Sequence, residues 1–252
     1  MTQRNERPAI FSSDKAIRVA RELLTNPNIH IRAVAGTVRA DALLTATVVG
    51  AAHGAQYGQR DVRSVEHAVN VLGLEKTRAV AMQVVFRQLV DAIKVPAAKA
   101  MGERVWRHSV TTACVAECLD QVAGDIQGAA RSYMLALMHE LPALVFLGYS
   151  RQRPEQYASA EQIAELFTHS VKATPKQLGD WLGLDPRLVS DGITLAGPTK
   201  SVWLAHHMVE EDNPIESANP EDVSSPMEIR EEWSDALTEG QHRARLILVR
   251  DA

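Results

Sequence analysis

Aromatic side chains are scarce in this 252-residue chain, at 5%, so any core must be built from Ala, Val and Leu. That balance favours helices packed through small side chains. Cysteine is nearly absent. Cys114 and Cys118 sit four apart in a helical pattern, where a bridge is geometrically poor, and two reduced, small hydrophobes are the simplest reading. Charge of one sign is also lacking: 27 basic against 31 acidic residues give a net charge of −4, which excludes a strongly basic nucleic-acid binder. The tripeptide Arg151-Gln152-Arg153 is a loop-sized basic spot without aromatic neighbours, better explained as a solvated turn. No apolar run approaches the ~20 residues needed to cross a bilayer. The richest stretch, Tyr133 to Tyr149, is broken by His139, Glu140, Pro142 and Gly148. The first residues, MTQRNERPAI, contain no apolar export segment, so a cytoplasmic protein without membrane contact is expected. Missing too are GxSxG, GxGxxG, HExxH and P-loop signatures, so the serine hydrolase, dinucleotide, zincin and NTPase readings lack a motif.

What remains is 46% hydrophobic and 23% charged, close to the globular average. The charge is uneven along the chain. Residues 1–209 balance at +4, whereas residues 210–239 hold eleven acids and only Arg230. An acidic, Pro-containing stretch of this kind reads as a solvated linker, or alternatively as a partner-docking arm. A short basic-aliphatic tail, HRARLILVR, follows.

Helix signals recur throughout. Ser159 with Gln162, Thr174 with Gln177, and Ser225 with Glu228 each pair a capping hydroxyl with an acceptor three residues on, and Asp185-Pro186 is a further start. Asn26-Pro27, Gly73, Gly124 and Gly183 read as stops. Period-2 alternation is not sustained anywhere, and only RLILV near the end looks strand-like. These features predict an all-α protein of about eleven or twelve helices. A long helix from about Pro96 to Val122 opens a second lobe, dividing the chain at Val95-Pro96. One further helix is predicted over 226–238. The small-residue segment VAGTVRADALLTATVVGAA predicts a tightly packed helix with Ala46 and Ala51 buried.

Histidine is the residue type with chemical promise. His108 lies mid-helix, and His139-Glu140 interrupts the apolar run ALMHELPALVF. A His and an acid on one helix, facing a second His, could hold a divalent ion such as Zn, Fe, Mn or Co; equally, they could be core histidines bonded to their neighbours. A fourth ligand would be needed, with Asp191 the best-placed residue and Asp212 the next. His169 stands alone, and the pair His206-His207 reads as interfacial or exposed. Cys114 has no base at an obvious spacing.

The order of segments ADALLTATVVGAAHGAQYG, RSVEHAVNVLGLEKTRAVAMQVVF, VWRHSVTTACVAECL and YMLALMHELPALVFL resembles the HDOD family, the HD-related output domains of bacterial signalling proteins. Asp41 opens the first helix. Ser64, Glu66, Ala68, Leu72 and Gly73 match the family's S-x-E-x-A-x-x-x-LG motif, and Trp106 to Ser109 match its Trp-Arg-His-Ser segment. Leu137 through Pro142 corresponds to LLHDIG, and Trp181 and Pro186 keep their places in LGDWLGLDPRLV. The resemblance covers roughly 12–210, as lobe 1 (about 12–95) and lobe 2 (about 96–210), with 211–252 an acidic extension and tail.

Departures from the family pattern bear on chemistry. His53-Gly54 replaces Asn-Ser, Ala42 replaces proline, and the His-Asp doublet is His139-Glu140. The later histidines of metal-dependent HD phosphohydrolases are missing from PRLVSDGITLAG. The resemblance therefore implies an N-terminal helical bundle packed on a degenerate HD-like bundle, a pseudo-enzyme with no catalytic residues, no cofactor and no retained metal. Its partner would be another signalling protein, with nucleic acid not expected. The alternative is a metal-dependent phosphohydrolase with His108, His139, Glu140 and Asp191 as ligands.

Overall fold

The computed structural model describes residues 22–24, 26, 29–54, 61–170, 173–182, 184–194, 201–209 and 231–250. Among these, all regular structure is helical and no strand occurs. The elements are α1 (Ile31–Arg39), α2 (Ala42–Ala52), α3 (Val65–Ala92), α4 (Pro96–Val122), α5 (Ile126–Met138) and α6 (Leu141–Gly148). After 3-10 turns at Tyr149–Arg151 and Pro154–Tyr157 come α7 (Ala160–His169), α8 (Pro175–Leu182), α9 (Pro186–Ile193), α10 (Ser201–Met208) and α11 (Glu231–Arg250).

Helix boundaries follow local chemistry. The Asp41 carboxylate accepts from the Leu44 N–H at 2.9 Å and opens α2. Thr174 and Gln177 form the full reciprocal box: the Thr174 N–H donates to Gln177 Oε1 at 2.9 Å, and the Gln177 N–H to Thr174 Oγ1 at 3.2 Å. Ser159 and Asp185 cap as their spacing predicts. Gly73 adopts φ 76° and kinks α3 into two helical segments, and Gly124 at φ 84° ends α4. The signals at Pro27, Gly183 and Ser225 lie outside the described residues.

α4 is the axis of the molecule. It packs against α3, α5, α6, α7, α10 and α11, and its buried residues, from Ala98 to Asp120, lie all round its circumference. α1 and α2 pack on α3, and one continuous core runs from Leu23 to Ala244.

Two expectations are corrected by the structure. RLILV is not a strand. It belongs to α11, which runs to Arg250 and so extends well beyond the predicted end at 238. The reason is a helical stripe of small residues. Ala236, Gly240 and Ala244, four apart, are buried and let α11 lie close against α4, so a Cβ at Gly240 would stand 2.6 Å from Val115 Cα. Side-chain period outweighs the β propensity of five residues. In α2 the buried face is Leu44, Val48 and Ala52, whereas Ala46 is exposed and Ala51 half-buried. Composition alone misjudged which face of a uniformly apolar helix turns inward.

Candidate functional site

Three helical segments that are distant in sequence bring their imidazoles together beneath α4. His108 stands at mid-α4 and has no exposure to solvent. His139 caps the C-terminus of α5, Glu140 immediately follows at the start of α6, and His206 comes from α10. All three rings are buried, with centroids 5.1, 5.4 and 5.1 Å apart and edges turned to faces.

Hydrogen bonding fixes the tautomers. His139 Nδ1–H donates to the Ala136 carbonyl in a short contact, which leaves its Nε2 lone pair aimed inward. That Nε2 lies 3.1 Å from His108 Nε2, so His108 supplies the proton between them. Thr112 Oγ1 stands 3.5 Å from the same His108 atom. Glu140 Oε1 approaches to 3.5 Å from His139 Nε2, within the same buried space.

Burial sets the charge of the cluster. Loss of solvent, then the neighbouring His206, lowers His108 to about 4 against the Val209 backbone. Loss of solvent, then His207, lowers His206 to about 4. His139 is pushed well below the ordinary histidine value by burial and by both ring neighbours. At neutral pH the three rings are therefore uncharged, the form in which imidazole ligates metal.

The arrangement fits a nitrogen-rich metal site. One ligand atom from each histidine lies within 4.8 Å of the other two, and tetrahedral coordination at Zn–N distances near 2.0–2.1 Å asks for separations of about 3.4 Å. His108 and His139 are already at that spacing, so His206 needs the larger adjustment. The Ala136 carbonyl behind His139 is the kind of outer partner that orients a ligating imidazole.

The structure brings His108, His139 and Glu140 together at one locus and separates Asp191 from them. Asp191 is not there: α9 packs through Val189 and Gly192, with Gly192 against Met138, and this leaves Asp191 at the margin, 3.3 Å from Arg131 Nη2. Asp212 lies outside the described residues. His206 is not interfacial but buried, and it completes the trio where Asp191 was expected. Its neighbour His207 takes the other face and stacks on Trp203 at 3.9 Å. His169 is bonded to the Glu165 carbonyl and exposed. Cys114 and Cys118 are free and buried, and burial raises both thiols, Cys118 to about 11, away from any thiolate role.

A second polar locus went unread in the sequence. Lys76 of α3 and Glu117 of α4 form a close buried ion pair. The ammonium also lies 4.0 Å from the centre of the Tyr133 ring, whose hydroxyl donates to Gln83 Oε1 at 2.9 Å. Arg243 of α11 stands 3.9 Å from Glu117. These groups line a cavity of about 300 Å³ between α2, α3, α4 and α11, with exposed Leu43 and Leu246 at its margin. Only Glu117 stands out in the sequence, as a lone charge in TTACVAECL; Lys76 lies among Glu75 and Arg78, and sequence alone cannot pair the two.

A profile of the HDOD domain matches residues 12–184. No curated protein sequence matches the chain. Among solved structures, a protein described as a "Putative metal-dependent phosphohydrolase" from Shewanella amazonensis SB2B is 18% identical, with a TM-score of 0.60 over 96% of this chain and 93% of its own. An HDOD domain protein of unknown function from Geobacter sulfurreducens is 18% identical, with a TM-score of 0.55 over 98% of this chain and 88% of its own. A "Putative signal transduction protein" from Marinobacter aquaeolei VT8, also 18% identical, gives 0.53 over 94% of this chain and 56% of its own. At these identities the likeness establishes the shared fold.

Proposed function

The chain belongs to the HDOD family, and from that premise we propose that it is a signal-transduction output module that binds another signalling protein and performs no hydrolysis. The observation that carries this reading is the position of Asp191. The acid a phosphohydrolase of this sequence would need lies at the surface, paired with Arg131, while three neutral imidazoles fill the buried locus. Metal-assisted phosphoester cleavage requires an open coordination position and a cleft that admits the substrate. Among the described residues, the linings of a cavity of about 300 Å³ and another of about 240 Å³ do not include His108, His139 or His206. A divalent ion held by His108, His139 and His206 would supply a cross-link between helices.

The inter-lobe cavity supports the binding half of the proposal, since it joins an apolar rim at Leu43 and Leu246 to buried charge at Lys76 and Glu117. Turnover of bis(4-nitrophenyl) phosphate with added Mn²⁺ or Zn²⁺ tests the non-catalytic half. The expected rate is that of buffer with metal alone, unchanged in His108→Ala and Glu140→Gln. Hydrolysis by the wild type that vanishes in both variants would replace the reading with the phosphohydrolase alternative.

A further inference from the structure

We propose that His108, His139 and His206 form a closed structural site for one zinc-like divalent ion, which fastens α10 to α4 and α5. This goes beyond the signalling reading and does not depend on it. It differs from the ligand set that the family resemblance implied in one residue: His206, a nitrogen donor, stands in the cluster where Asp191 was expected.

Four observations converge on the site. The ligands come from three separate segments, 31 and 67 residues apart in the chain, so their meeting is a product of the tertiary fold. Their ligand atoms share a volume less than 4.8 Å across, and the closest pair is already 3.1 Å apart. His139 presents Nε2 inward because Ala136 holds its Nδ1–H. Finally, the locus is dry, with His108 fully buried and His139 and His206 only 6% exposed.

The donor set selects the ion. Three neutral imidazoles suit Zn²⁺, Co²⁺ or Ni²⁺ far better than Mg²⁺ or Ca²⁺, which take oxygen ligands. Glu140, whose Oε1 is 3.5 Å from His139 Nε2, stands outside the 4.8 Å set of ligand atoms and would have to swing inward to serve as a fourth donor. With that carboxylate bound, all four positions belong to protein, as in structural zinc sites. The consequence for the fold is specific. α10 is only eight residues long, so an ion at His206 ties a short element to the central helix.

The test uses the full chain, stripped with a chelator and titrated with Co²⁺. The expected result is one ion per chain with the intense visible ligand-field bands of tetrahedral cobalt. These bands should disappear in His206→Gln and persist in His207→Gln. Zn²⁺ loading should raise the melting temperature of wild type and of His207→Gln, but not of His206→Gln. The wild-type titration decides the matter even if a variant fails to fold: a folded protein that gives no bands, or only the weak bands of six-coordinate cobalt, overturns the proposal. Bands that survive in a folded His206→Gln variant overturn it as well.

Discussion

His108 and His206 are each held at about 4 in the fold, mainly by burial, against roughly 6.5 in an unfolded chain. A depressed value means that the unfolded chain takes up protons first as pH falls. The stabilising contribution of the neutral rings is therefore complete above about pH 6.5 and is lost progressively toward pH 4. With chelator present, the melting temperature should fall steeply through that window. A flat profile from pH 7 to 4 would show that the rings are not buried as described. At the second polar locus, Lys76→Met leaves Glu117 buried with Arg243 3.9 Å away as its remaining cation. Urea unfolding should show a loss of about 3 kcal/mol or more for that single change, and substantial recovery in the Lys76→Met/Glu117→Leu double variant. If the double variant is as unstable as the single, the pair is not acting as a buried couple.

Among the elements, α11 offers the clearest test of packing. Gly240 lies so close to Val115 of α4 that Gly240→Val must separate the two helices. The variant should melt lower and lose residues 231–250 to limited proteolysis sooner than wild type. Identical digestion would show that α11 does not need this close approach. α2 separates composition from placement. Ala52→Leu, on its buried face, should cost about 1–3 kcal/mol by overpacking, while Ala46→Leu, exposed beside the inter-lobe cavity, should leave the melting temperature within error. The reverse ranking would mean that α2 is rotated about its axis. Caps and stops at Asp41, Gly73, Pro96, Gly124, Ser159, Thr174 and Asp185 were legible because each rests on chemistry within three or four residues. The strand expected at RLILV failed for the opposite reason. Its helical period is visible only when Ala236, Gly240 and Ala244 are read as one face with a partner.

At the scale of the whole molecule, the all-α architecture and the family could be read from local signals, because Ser64 to Gly73 and Trp106 to Ser109 are short contiguous motifs. The site was legible only in part. His108 falls within the second of those motifs and His139 and Glu140 within Leu137–Pro142, whereas His206 is brought in from the short α10 helix, beyond the matched residues. Asp191 and His206 are both late residues, and only the packing of α9 and α10 sets one outside the cluster and the other within it. Lys76 and Glu117 are 41 residues apart and meet only because α3 and α4 lie side by side. No helix of the described residues is long and apolar enough to cross a membrane, and polar chemistry is buried at two places against α4. The most direct test of this account is an anomalous difference map from crystals grown with Zn²⁺. It should show one strong peak at bonding distance from His108, His139 and His206. A peak bound by Asp191, or no peak among the three imidazoles at full occupancy elsewhere, would contradict it.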